Sequence, residues 1–218
     1  MTAVIAIDPE RFERLPLLKH GSHKANDEAM CVMEAVAWVT HKEWSDQPPC
    51  VCPVIGAFMR AWNDGLPNDE ERTALLKPLI PKLINTKGSE ALANRRAAMA
   101  ADWLVRAQTV AWLRLAKLDA QADALASLPE ITDFAKCPPM MPALEAARKG
   151  AAAAGAAAWA AAGDAAWAAA RAAARDAVRD AAWAAARDAL APTMLALQHS
   201  ALKLVERMIA AKDAGRAS

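Results

Sequence analysis

Hydrophobic and polar residues follow each other along this chain with the spacing of amphipathic helices. Apolar side chains recur at steps of three and four over Glu28–His41, again over Ser89–Leu118, and a third time over Thr193–Lys212. This spacing places the apolar residues on one face of a helix, where they are buried against other helices. Three core-facing helices are therefore predicted, the first of them with Asn26 or Asp27 as its capping residue.

Capping residues and prolines predict where other helices begin and end. Asn68 is followed three positions later by Glu71, the arrangement in which a capping side chain and an acidic residue satisfy the free N–H groups of a helix start. Pro78 and Pro81 remove backbone donors and should kink or end that helix early. Pro192 is expected to break the helix that contains it.

An alanine-rich segment, Ala143–Leu190, organises the second half of the chain. Alanine has the highest helix propensity, and this segment would form a rod on the order of 70 Å long unless it breaks at Gly155 or Gly163. Its flat alanine faces allow close packing against another helix, including one from a second copy of the chain. The sequence thus predicts an all-α protein, with a compact helical domain (1–140) followed by an alanine-rich helix and a C-terminal helix that form a hairpin (141–218).

Charge and composition argue against several kinds of partner. The chain has 218 residues with 26 basic and 25 acidic side chains, so no net field attracts nucleic acid or an acidic membrane. Its N-terminus lacks the pattern of a signal peptide, and its four cysteines are expected to be reduced thiols. We therefore expect a cytoplasmic protein with no membrane or nucleic-acid partner.

Two clusters combine tryptophan and arginine with a carboxylate or a carboxamide. An indole face stacks on planar rings, and a guanidinium offers forked donors to phosphate or carboxylate. These clusters predict a site for a nucleotide-like ligand, although core tryptophans and helix-capping arginines would give the same pattern. The predicted ligand-binding residues are Trp44, Asp46, Arg60, Trp62, Asn63, Asp102, Trp103 and Arg106.

Other chemistry has weaker support in the sequence. Phosphate-binding glycine loops are absent, the spacing of the cysteines does not suit a zinc site, and no cofactor is expected. An enzyme that uses His23, Cys31 or Glu34 is an alternative. Cys31 can act as a nucleophile, with His23 or His41 as its base, only if the fold brings them together, and Glu34 is a separate candidate acid or base. No catalytic or metal-binding residue is therefore predicted.

Several motifs resemble those of a family of hypothetical proteins from GC-rich bacteria and their phages. They are GSHKANDEAMCVMEAVAWV, WSDQPPCVCPVIGAF, RAWND, LLKPLIPKLINT and MAADWLVR, and the resemblance covers most of residues 18–140 before an alanine, tryptophan, arginine and aspartate tail. It implies a phage or mobile-element setting but brings no catalytic residue with it.

These observations lead to one expected function and two alternatives. The expected function is a non-enzymatic helical protein that self-associates through its alanine-rich helices. We expect it to sequester a small nucleotide-like ligand, such as a defence signal. The alternatives are a protein–protein interaction module that inhibits a host protein, and the enzyme just described.

Overall fold

All secondary structure in the described part of the chain is helical, which confirms the all-α prediction. The computed structural model describes residues 4–25, 29–154 and 175–213, except for the side chains of residues 136 and 175–187. The helices are α1 (Pro9–Glu13), α2 (Val32–Val39), α3 (Pro53–Gly65), α4 (Asp69–Leu76), α5 (Ile80–Leu83), α6 (Glu90–Trp103), α7 (Thr109–Leu115), α8 (Asp119–Ala126), α9 (described over 141–154) and α10 (Arg175–Ala210). A π-helical turn, Leu104–Gln108, joins α6 to α7. No helix in the described residues combines the length and apolar character that crossing a bilayer requires.

The predicted start of α4 and its early end are both confirmed. The side chain of Asn68 accepts a hydrogen bond from the N–H of Glu71 at 2.8 Å, which satisfies one of the free donors of the first turn. The helix ends at Leu76, and a 3₁₀ turn that contains Pro78 leads into α5. The prolines therefore interrupt the helix, because each removes a backbone donor.

Helix α2 begins later than its apolar spacing predicted. Its first residue is Val32 and Cys31 is the capping residue, because the carboxylate of Glu34 accepts the Cys31 N–H at 2.7 Å. The predicted start at Glu28 is therefore wrong. The proposed caps Asn26 and Asp27 lie outside the described residues.

Two compact units make up the chain. Unit 1 consists of Met1–Ala97 and Val205–Ser218, and unit 2 of Ala98–Leu204. The last turns of α10 belong to unit 1, where Met208 is fully buried. The boundary near residue 140 stays a prediction. The largest side chains buried in unit 1 include Leu18, Met33, Ile55, Met59, Leu76, Leu79, Ile80 and Leu83. The core of unit 2 contains Ala98, Leu113, Ala122, Leu125, Ile131, Met140 and Ala147.

Helix α10 continues through a proline, contrary to the prediction that Pro192 breaks it. It runs without interruption over 36 residues with Pro192 inside. Proline in a helix interior costs about 3 kcal/mol, and the alanines around it, which have the highest helix propensity, reduce the tendency of this segment to unfold. The two candidate positions for a break in the alanine-rich segment, Gly155 and Gly163, lie outside the described residues.

Candidate functional site

A polar contact in unit 1 joins an imidazole to a buried carboxylate. Glu34, 1% exposed, lies in the first turn of α2, and its Oε2 lies 3.0 Å from Nδ1 of His23. Its two oxygens also accept the backbone N–H groups of His23, at 2.6 Å, and of Cys31, at 2.7 Å. The side chain of His23 keeps 16% of its surface exposed, and its Nε2 has no hydrogen-bond partner among the described residues. We call this contact the His23–Glu34 pair.

The structure brings Cys31 next to this pair but does not make it a nucleophile. Burial raises the pKa of the Cys31 thiol to about 12, and the neighbouring Glu34 carboxylate contributes in the same direction. A thiol attacks as its thiolate, which is scarce at neutral pH when the pKa is this high. The high pKa therefore argues against Cys31 as a nucleophile, and the enzyme alternative stays a prediction.

Trp44 and Asp46, two of the predicted ligand-binding residues, serve to hold the loop between α2 and α3. The indole Nε1 of Trp44 donates to the backbone oxygen of His23 at 2.7 Å. The guanidinium of Arg60 donates to the backbone oxygen of Asp46 at 2.8 Å and lies 3.5 Å from its carboxylate. The polar groups of Trp44, Asp46 and Arg60 are therefore occupied by contacts within the protein.

Asn63 is also occupied internally. It is fully buried, its Oδ1 accepts the N–H of Val32 at 3.1 Å, and its Nδ2 donates to the backbone oxygen of Lys19 at 2.9 Å and to Asp64 at 3.0 Å. Both amide hydrogens are therefore used. Desolvation by partial burial acts to raise the pKa of Asp64, but the hydrogen bonds from Asn63 and from the Gly21 N–H outweigh it, so the pKa lies below its ordinary value.

Trp62, one residue before Asn63 on α3, packs against another aromatic ring. Its ring lies 6.2 Å from that of Phe58 at a tilted angle of 59°. Such tilted pairs suit the quadrupoles of the two rings and stabilise a helix surface. The predicted stacking of a ligand on Trp62 stays a prediction.

The three remaining predicted residues lie in unit 2, around the π-helical turn Leu104–Gln108, which we call the Arg106 turn. Nε of Arg106 is shielded from solvent and has no hydrogen-bond partner in the described part of the chain. Oδ1 of Asp102 lies 3.5 Å from it, an ion-pair distance without hydrogen-bond geometry, and the same oxygen accepts the Ile131 N–H at 2.9 Å. The indole Nε1 of Trp103 donates to Oγ of Ser200 at 2.7 Å, which fixes the ring. This arginine is the one predicted ligand-binding residue with a buried, unused donor.

One buried arginine of unit 1, Arg72, was not predicted from the sequence. Arg72, 2% exposed, donates to the backbone oxygens of Asn63 at 2.8 Å and of Leu66 at 2.9 Å, at the end of α3. Its guanidinium also pairs with Asp69. A buried arginine on α4 has no sequence signal of its own, because the carbonyls it satisfies come from another helix.

Metal binding has no support among the described residues, where no three or more His, Cys, Asp or Glu side chains are placed to hold an ion. Comparisons with protein-family models, with curated proteins and with solved structures give no match to this chain. The resemblance to a family of hypothetical proteins therefore stays a prediction.

Proposed function

We propose that this protein is a helical binding protein that takes a small anionic, nucleotide-like ligand at the Arg106 turn. The observation that carries the proposal is the buried Nε of Arg106, which has no acceptor among the described residues. A buried donor without a partner costs about 1–3 kcal/mol, so such groups are rare and need an explanation. A phosphate or carboxylate oxygen that accepts from Nε and from a neighbouring N–H would satisfy it.

The surroundings of Arg106 support a ligand that is both anionic and planar. The π-helical turn widens the helix by one residue, and such turns occur frequently at functional sites. Trp103, three residues earlier, has its ring held by Ser200 and supplies an aromatic surface close in sequence to the guanidinium. Arg106 is 30% exposed as a side chain, so solvent and a small ligand can reach part of it.

Asp102 limits the affinity for an anion. Its carboxylate lies 3.5 Å from Arg106 Nε, holds the guanidinium in position and also repels an incoming negative charge. The neutral variant Asp102→Asn keeps an oxygen for the Ile131 N–H and removes the repulsion. Anion affinity should therefore rise a few-fold in this variant if the site is at Arg106.

Calorimetric titration with adenosine monophosphate, inorganic pyrophosphate and a cyclic dinucleotide tests the proposal. We expect at least one of them to bind. Arg106→Gln should weaken that binding by roughly 10- to 100-fold, because it removes a charge-assisted hydrogen bond. Arg106→Lys keeps the charge without the fork and should fall in between. Arg114→Gln is the matched control, because Arg114 is an exposed arginine of the same unit that pairs with Asp119 and Asp123. Equal affinity in Arg106→Gln and in Arg114→Gln would sink the ligand proposal.

Self-association through the alanine-rich segment is the second part of the proposal. Alanine side chains allow helix backbones to approach to the short end of the usual 8–10 Å spacing, which supports packing between copies. A native mass spectrum of the protein as purified would show a defined oligomer, with an added small mass if a ligand is retained. A bare monomer would overturn this part and would favour the alternative of a host-protein partner.

A further inference from the structure

We propose that the His23–Glu34 pair is a general base, in which Nε2 of His23 removes a proton from water that attacks an uncharged acyl ester. This activity goes beyond ligand binding at the Arg106 turn, uses different residues, and departs from the expectation of a non-enzymatic protein. Glu34 is 1% exposed, which makes it the most enclosed carboxylate of unit 1 among the described residues. In this arrangement His23 is the catalytic residue and Glu34 a positioning residue.

The contacts of Glu34 determine which ring nitrogen of His23 is free. Two backbone N–H groups donate to the carboxylate at the start of α2, at 2.6 and 2.7 Å. An ionised carboxylate only accepts, so the 3.0 Å contact requires that Nδ1 of His23 carries the proton. The lone pair of the neutral ring then resides on Nε2, which has no partner among the described residues. A histidine oriented by a carboxylate in this way is suited to accept a proton.

The charge and the neighbours of the pair select the nucleophile and the substrate class. The thiol of Cys31, whose pKa burial raises to about 12, does not serve as the nucleophile, so water does. The pair carries one net negative charge while the ring is neutral, which repels a phosphate dianion. An uncharged carbonyl compound meets no such repulsion, and this favours an acyl ester over a phosphate ester.

The proposed reaction is the hydrolysis of an ester to an acid and an alcohol. As Nε2 takes a proton from water, the water oxygen forms a bond to the acyl carbon, and the carbonyl electron pair moves to oxygen. When this intermediate collapses, the bond to the alcohol oxygen breaks and the alcohol takes the proton from Nε2. Glu34 stabilises the imidazolium that exists between the two proton transfers.

Hydrolysis of 4-nitrophenyl acetate by the full chain tests this inference. We expect His23→Gln to lower the rate on the order of 100-fold, the usual contribution of a general base, while His20→Gln, at an exposed histidine of the same loop, leaves it unchanged. Glu34→Gln should lower kcat and leave KM little changed, since it removes the negative charge that stabilises the imidazolium formed during the reaction. Equal rates in the wild type and His23→Gln, or a wild-type rate no higher than that of free imidazole, would overturn the proposal.

If a variant fails to fold, the general-base role can be tested on the wild type by determining which ring nitrogen of His23 carries the proton. Long-range proton–nitrogen NMR of the histidine rings should show the His23 ring protonated on Nδ1 and bare on Nε2 at neutral pH. A ring with the proton on Nε2 would mean that Glu34 donates to Nδ1, and the general-base role would be lost. These results are independent of nucleotide binding at the Arg106 turn, so failure of either proposal leaves the other standing.

Discussion

Nε of Arg96 donates to the backbone oxygen of Met208 at 2.7 Å, across 112 residues of sequence. The same guanidinium donates to the backbone oxygens of Thr86 at 2.6 Å and of Ala211 at 3.1 Å. Arg96 is 2% exposed, so all three carbonyls are satisfied where little water reaches. The last carbonyls of a helix have no partner within it, and a cation at this end also suits the helix dipole. The hydrogen bonds of Arg96 therefore stabilise the position of the C-terminal end of α10 within unit 1.

Arg96→Ala should destabilise unit 1 by roughly 2–4 kcal/mol, because it leaves buried carbonyls without donors. Urea unfolding followed by circular dichroism measures this change. The matched control is Arg95→Ala, at the exposed neighbouring residue, which should cost less than about 0.5 kcal/mol. Equal unfolding midpoints for the two variants would show that the contacts of Arg96 do not hold α10.

The free energy of unfolding should fall at acid pH partly because Asp69 becomes protonated. The hydrogen bond from Nζ of Lys19, at 2.5 Å, outweighs the opposing effect of desolvation and holds the pKa of Asp69 below its ordinary value. A carboxyl with a lowered folded-state pKa contributes stability above its ordinary pKa, and this is lost as the pH falls through the folded value. Asp69→Asn should therefore reduce the loss of stability between pH 7 and about pH 2.

Urea midpoints across that pH range test the contribution of Asp69. Glu43→Gln, at an exposed carboxyl of the same unit, serves as the control and should leave the acid dependence close to that of the wild type. If the curves of wild type and Asp69→Asn stay parallel, the Lys19 contact does not contribute to acid sensitivity.

Cys31 should resist alkylation in the folded protein. With a pKa raised by burial to about 12, only about one thiol in ten thousand is ionised at pH 8, and solvent reaches little of the side chain. Iodoacetamide should modify the partly exposed Cys137 first, and Cys31 only on addition of denaturant. Peptide mass mapping over time measures both rates in one sample. Rapid labelling of native Cys31 would contradict its burial and would restore the cysteine part of the enzyme alternative.

Trp44→Phe should cost about 1 kcal/mol, because it removes the indole N–H that donates to the backbone of His23. The phenyl ring keeps most of the apolar contact, so the change isolates the hydrogen bond. Trp112→Phe is the comparison, at a tryptophan of unit 2 that is 37% exposed, and it should be nearly neutral. If the hydrogen bond also orients His23, hydrolysis of 4-nitrophenyl acetate should slow in Trp44→Phe and stay unchanged in Trp112→Phe.

The eight predicted ligand-binding residues show how much of a binding site can be predicted from residue types alone. Tryptophan, arginine and asparagine next to each other indicated binding, yet Asn63 uses both amide hydrogens and Arg60 its guanidinium within unit 1. Arg106 differs because its buried Nε lacks an acceptor among the described residues. A sequence pattern gives the donors that are present, but the positions of the acceptors depend on which helices pack together.

Local signals sufficed for the all-α class, the cap at Asn68 and the interruption by Pro78, because each depends on backbone groups within a few residues. They did not suffice for the start of α2, where the side chain of Glu34 caps Cys31 and also holds His23. They also failed at Pro192, where α10 continues through the proline. Only the tertiary structure could bring His23 to Glu34 and Arg96 to Met208, since the free energy of such contacts comes from groups distant in sequence that share a buried site.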